Sequence, residues 1–133
     1  NGPVPFTFTV PICYEAILES TMRKLQNADL FINITNDGWF GDTAAPRQHA
    51  MLAAVNATAL GRPLFRSTYT GISMIVEPHG VILEETKPYT DEHKIVTLRL
   101  AGFDTFYRGA GEWIPVGIAL IGLGAIGMAV RRG

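Results

Sequence analysis

The sequence has few of the residues that staple or charge a small domain. It contains one cysteine, Cys13, which excludes an internal disulfide and any zinc site built from several cysteines, and leaves the redox compartment open. His49, His79 and His93 are scattered, and no spacing suggests a metal site. Lys plus Arg number 11 against 12 Asp plus Glu, a net charge of −1. No window forms a basic stripe of the kind that releases counterions from a phosphate backbone, so nucleic acid is not an expected partner. Internal repeats and low-complexity linkers are absent. An initiator Met is also missing: the chain opens at Asn1 in what reads as the middle of a βα unit, so we expect the C-terminal part of a larger protein. The 133 residues are enough for one small domain with its own core.

What the chain has in excess is apolar surface, with 47% hydrophobic and 17% charged residues, and the excess sits at one end. Residues 113–130 carry no charge, and a helix of that length spans roughly 27 Å, close to a bilayer's hydrocarbon thickness of about 30 Å. A buried core helix and an interfacial helix are the alternatives. No polar face breaks the run, and Gly117, Gly122, Gly124 and Gly127 suit membrane packing, so one transmembrane helix is expected at 113–130. Trp113 resembles an interfacial anchor, and Arg131-Arg132 is a positive-inside signal. The tail 131–133 would then be cytoplasmic and residues 1–112 would lie on the outer side, the periplasm in a bacterium.

The lone cysteine lies where a strand gives way to a helix. Thr7-Phe8-Thr9-Val10 alternates polar and apolar side chains as a half-buried strand does, and Tyr14, Leu18, Met22 and Leu25 recur at helical spacing. Cys13 would thus stand at a helix N-terminus, where free N–H groups and the helix dipole favour a thiolate. Such a thiolate could attack a carbonyl; the alternative is a small buried hydrophobe.

Leu30-Phe31-Ile32-Asn33-Ile34 reads as a strand buried on both faces, so strand, helix and strand imply a parallel crossover. It runs into Asn36-Asp37-Gly38, which is turn chemistry, and then Trp39 and Phe40 in a loop. At the C-terminal edge of a parallel sheet these aromatics would stand beside Cys13, where open α/β sheets bind ligands; otherwise they cap the core. Asn36, Asp37, Trp39 and Phe40 are the substrate-binding candidates. Thr43 can cap the next helix, Pro46 suits its first turn and Gly61 its stop, with Met51, Leu52, Val55 and Leu60 as its apolar side. Short strands are expected at 64–68, 71–76, 81–85 and 94–100, with Pro78-His79-Gly80 as a hairpin turn. His79 and His93 fall in turns and loops. His49 can be read as the base of a Cys-His pair or as a structural residue bonding a neighbouring loop.

Several ordered motifs carry a resemblance. Pro11-Ile12-Cys13-Tyr14-Glu15, then Asp29-Leu30-Phe31-Ile32-Asn33-Ile34-Thr35-Asn36-Asp37-Gly38-Trp39-Phe40-Gly41-Asp42, Pro46-Arg47-Gln48-His49, Leu60-Gly61-Arg62-Pro63-Leu64-Phe65-Arg66, Phe106-Tyr107-Arg108 and Gly111-Glu112-Trp113 resemble the apolipoprotein N-acyltransferases, a family of the nitrilase (carbon-nitrogen hydrolase) superfamily. The resemblance implies the C-terminal part of a nitrilase-type α-β-β-α sandwich followed by one transmembrane helix. It implies Cys13 as catalytic nucleophile, with Tyr14 and Glu15 supporting the site, Glu15 being equally readable as a first-turn acid favoured by the dipole. It also implies a Glu base and an oxyanion-holding Lys upstream of the cysteine, in a region this sequence does not contain, and thereby a structural reading for His49. The backbone N–H of Tyr14 is a further candidate for the oxyanion hole.

The implied reaction passes a phospholipid acyl group through Cys13 to the N-terminal amine of a diacylglyceryl lipoprotein, at the bacterial inner membrane, with no cofactor. Rivals are a carbon-nitrogen hydrolase such as an amidase or nitrilase, with water as acceptor, and a non-catalytic membrane-tethered scaffold. Where that family usually has Arg-Ala-x-Glu-x-Gly-Arg-Pro, this chain has Asn56-Ala57-Thr58-Ala59-Leu60-Gly61-Arg62-Pro63, and Tyr69 stands where Asn is usual.

Overall fold

The computed structural model of the protein describes residues 5–111 and 113–132. The expected boundary at Glu112, the start at Asn1 and the tail residue Gly133 lie outside the described residues. Strand β1 (Phe8–Thr9), helix α1 (Glu19–Lys24), β2 (Leu30–Thr35), α2 (Ala45–Ala59), β3 (Leu64–Thr68), β4 (Met74–Val76), β5 (Ile82–Glu85), α3 (Phe106–Ala110) and α4 (Trp113–Arg132) follow in order. One sheet runs β1-β2-β3-β4-β5. Its first members pair in parallel and its last are antiparallel, so the crossover read from the sequence is present and the sheet is mixed.

Alternation along β2 and β3 decides which side chains meet. Phe31, Asn33 and Thr35 are buried under the helices while Ile34 is exposed, and on β3 Leu64 and Arg66 are buried while Phe65 is exposed. The parallel register sets Phe31 beside Leu64 and Asn33 beside Arg66. Core residues Ala16, Met22, Phe31, Ala50, Ala53, Ala57, Leu60 and Leu64 fill the space between this face and the helices.

Several expected elements differ. The single helix after Cys13 is two pieces, a 3-10 turn at Cys13–Ile17 and then α1, because Leu18 is extended with φ −83° and ψ 107°. Tyr14 and Leu18 are consequently exposed and Ala16 faces inward, while Met22 is buried and Leu25 packs on the core as expected. On α2 the buried side is not Leu52 and Val55, which are exposed, but His49, Ala50, Ala53, Ala54 and Ala57. Small side chains there let α2 approach the Cys13 turn closely, and the larger ones are turned to the outside. The strand expected at 71–76 shortens to Met74–Val76. At 94–100 no strand forms; Ile95 is wholly exposed and Lys94 is tied to Glu84 by its ammonium at 2.8 Å. The hairpin turn is present, with Gly80 at φ +87° and the Glu77 amide bonded to Val81 O at 2.8 Å.

Helix α4 has 20 residues and exposes Ile118, Leu120, Ile121, Leu123, Ile126 and Met128. Among the described residues no helix is long and apolar enough to cross a membrane. A span at 113–130 therefore rests on the sequence.

Candidate active site

Ile12 bridges to Ile34 in parallel, so Cys13 and Thr35 leave the sheet side by side at its C-terminal edge. Cys13 is partly exposed and has φ +50°. A residue with a Cβ pays on the order of 1 kcal/mol or more to sit in the left-handed region, so the surroundings must impose it. They do so from two directions. The Glu15 carboxylate accepts from the Ile12 amide at 2.7 Å, closing the turn from its C-terminal side. From beneath, the Asn33 side-chain amide donates to Pro11 O at 2.8 Å and to Cys13 O at 3.3 Å. Glu15 thus braces the Cys13 turn as a first-turn acid.

Asn33 continues into a buried polar cluster. Arg66 donates through Nη1 to Asn33 Oδ1, through Nη2 to Asp37 Oδ2 at 2.8 Å and through Nε to Ile72 O at 3.3 Å. His49 Nδ1 lies 2.8 Å from Asp37 Oδ1 and 3.2 Å from Arg66 Nη2. Thr35 Oγ1 also reaches Asp37 Oδ1, at 3.4 Å. Asn33, Asp37 and Arg66 are at most 1% exposed and His49 is 4% exposed, so this charge is shielded from water. Burial pulls the Arg66 pKa below its usual value, opposed first by the Asp37 carboxylate and more weakly by Cys13. A buried guanidinium is tolerable when its donors are matched like this.

The loop after β2 shapes the rim. Asn36 Oδ1 accepts from the Gly38 amide at 2.9 Å and from Thr70 Oγ1 at 3.3 Å, which ties this loop to the one following β3. The Tyr69 amide donates to Thr35 O at 3.1 Å, and the Tyr69 side chain is exposed on the same edge. Trp39 is 81% exposed and does not cap the core. Phe40 does pack inward, edge-on to His49 with centroids 5.7 Å apart, and Tyr14 lies 6.2 Å from the same ring. Asp37, in contrast, turns both oxygens inward to Arg66 and His49.

The residues expected from sequence fall into two groups. Cys13, Tyr14, Asn36 and Trp39 share the exposed edge, whereas Glu15 and Asp37 are braces. His49 bonds a neighbouring loop, as its structural reading has it, and its Nε2 is buried with no partner among the described residues. Asn33 and Arg66 were not singled out by sequence reasoning, although a polar side chain inside each apolar strand run, Leu30-Phe31-Ile32-Asn33-Ile34 and Leu64-Phe65-Arg66, is a visible signal. Asn56, one of the departures from the usual family pattern, donates to Ala16 O at 3.0 Å and so holds the same turn. Among the described residues no cluster of His, Cys, Asp and Glu could hold a metal ion.

The family model for carbon-nitrogen hydrolases matches residues 6–107. A curated apolipoprotein N-acyltransferase of Bdellovibrio bacteriovorus is 36% identical over 130 residues, 91% of this chain and 24% of that protein. One of Agrobacterium fabrum is 47% identical over 78 residues, 58% of this chain and 15% of that protein. The chain thus spans a quarter or less of the length of these curated relatives. Among solved structures, a carbon-nitrogen hydrolase of Helicobacter pylori superposes with a TM-score of 0.57 at 14% identity, over 65% of this chain and 38% of that one, a likeness of fold.

Proposed function

The chain belongs to the carbon-nitrogen hydrolase family, and from that premise we propose that it is the cysteine-bearing part of an N-acyltransferase. In this reading Cys13 Sγ attacks the ester carbonyl of a phospholipid acyl chain. The S–C bond forms, the ester C–O bond breaks, and the alcohol leaves with a proton. The N-terminal amine of a diacylglyceryl lipoprotein then attacks the thioester, the C–S bond breaks, and an amide and a free thiol result. The base and the Lys that would hold the oxyanion are those the resemblance places upstream of Cys13; the Tyr14 backbone N–H is a second oxyanion donor.

The observation that carries this reading is Cys13 at φ +50° on the sheet's C-terminal edge, with the exposed Trp39 on the loop beside it. An exposed indole on the loop after β2, at the same sheet edge as the nucleophile, suits an apolar acyl chain better than a small polar amide. Asn36, Trp39 and Phe40 are assigned to substrate binding, and Asp37 to holding their loop. The names of the curated relatives support acyl transfer to lipoprotein. The uncharged run 113–130 supports a membrane span, and Arg131-Arg132 supports a cytoplasmic C-terminus, with Cys13 on the periplasmic side of the inner membrane.

The test supplies full-length protein with phospholipid vesicles and a diacylglyceryl lipopeptide bearing a free amine. N-acylated peptide, absent with Cys13→Ala, is the expected product. Free fatty acid in place of acylated peptide would assign the chain to a hydrolase, and no product of either kind would leave the scaffold reading.

A further inference from the structure

We propose that Asn33 is the positioning residue that holds Cys13 in its left-handed, reactive conformation, and that Arg66 fixes the direction in which Asn33 points. This rests on Cys13 being the nucleophile. A primary amide has two N–H donors on one atom and an acceptor on the other. Here the donors bracket the nucleophile's residue, on Pro11 O at 2.8 Å and Cys13 O at 3.3 Å. The Asn33 oxygen faces the guanidinium of Arg66, which has no acceptor. A flipped amide would set N–H against N–H and carbonyl against carbonyl, so Arg66 determines the orientation. Strand register makes the pairing obligatory, since Asn33 and Arg66 are direct neighbours across β2 and β3. Asp37 and Ile72 O hold the guanidinium in turn. Asn33 is fully buried and acts on the reaction only through the Cys13 backbone. An asparagine in an otherwise apolar strand interior loses stability unless its hydrogen bonds are all met, and here they are met by the nucleophile's turn.

The experiment uses the full-length protein and p-nitrophenyl butyrate, an activated ester whose acylation of a cysteine releases p-nitrophenolate in a burst. The burst rate constant reports the nucleophile's placement, and the burst amplitude reports the fraction of folded sites. Asn33→Asp is nearly isosteric but sets an oxygen against the Pro11 and Cys13 carbonyls. It is expected to slow the burst about 100-fold, the usual consequence of an ångström-scale misplacement, while iodoacetamide still alkylates Cys13. Arg66→Lys keeps the charge, frees the amide to rotate, and is expected to slow the burst about 10-fold, giving a second reading should Asn33→Asp not fold. An unchanged rate constant in either variant, whatever the burst amplitude, would reduce Asn33 to a structural residue and overturn the proposal. A burst that persists in Cys13→Ala would instead remove Cys13 as nucleophile, and the proposal with it.

Discussion

Arg66 and Asp37 form an ion pair at 2.8 Å in which neither side chain reaches solvent. A pair of this kind is stabilising mainly in the sense that neither partner tolerates the loss of the other, because the remaining charge is stranded in a water-free interior. Asp37→Leu or Arg66→Met alone is expected to cost about 3–5 kcal/mol. The double variant is expected to cost clearly less than the sum, a non-additivity read from denaturant midpoints of the full-length protein. Additive losses would show the two charges to be independent.

Gly71 provides a milder probe of the same cluster. A Cβ built there meets the Asp37 carboxylate, with Asp37 Cβ and Cγ at 2.8 Å. Gly71→Ala is expected to displace Asp37 and destabilise by about 1–3 kcal/mol. Gly109 has open space around it and lies exposed in α3, so Gly109→Ala is expected to stabilise slightly, by up to about 1 kcal/mol. Thermal unfolding of both variants decides; equal shifts would contradict the packing described at Gly71.

Much of this arrangement is legible in the sequence. Apolar runs gave β2 and β3, the glycine stop at Gly61 appears at φ +65°, and the cysteine is at a strand end. Helical spacing after Cys13 misleads in part, because a 3.6-residue period in Tyr14, Leu18, Met22 and Leu25 says nothing of the break at Leu18, where the chain is extended between the 3-10 turn and α1. The buried face of α2 is legible only in part: Leu60 lies in the core and Met51 packs against it, but Leu52 and Val55 are exposed because close helix approach selects alanine. Asn33 and Arg66 escaped notice because their value comes from cross-strand register, a property of two segments and not of either alone.

Glu19 predicts a pH dependence for the docking of α3 on α1. Its carboxyl is held below the ordinary value of 4.5, first by the Tyr107 side chain and then by Arg23, and the Arg23 guanidinium also lies 4.5 Å from the Tyr107 ring centroid. A carboxyl whose folded value is depressed contributes stability that is present above 4.5 and is lost as pH falls through the depressed value. Amide protection in α3, corrected for the intrinsic pH dependence of exchange, is expected to fall on acidification below the ordinary value before protection in β2 does, and Glu19→Gln is expected to abolish the difference. Simultaneous loss of protection in both elements would contradict the assignment.

Trp39 separates substrate capture from stability. With 81% of its surface exposed, Trp39→Ala is expected to change stability by no more than about 0.5 kcal/mol. The same variant is expected to raise KM for long-chain phospholipid donors while leaving KM for a butyryl ester unchanged. Parallel losses for both donors would remove Trp39 from the acyl-binding rim.

The most direct test of the account is the intact mass of the full-length protein after incubation with phospholipid vesicles and no amine acceptor. The account predicts a gain of one acyl mass that hydroxylamine removes and that Cys13→Ala never acquires. A folded wild-type protein that gains no mass in accessible lipid, or a Cys13→Ala variant that gains it equally, would contradict acyl transfer through Cys13.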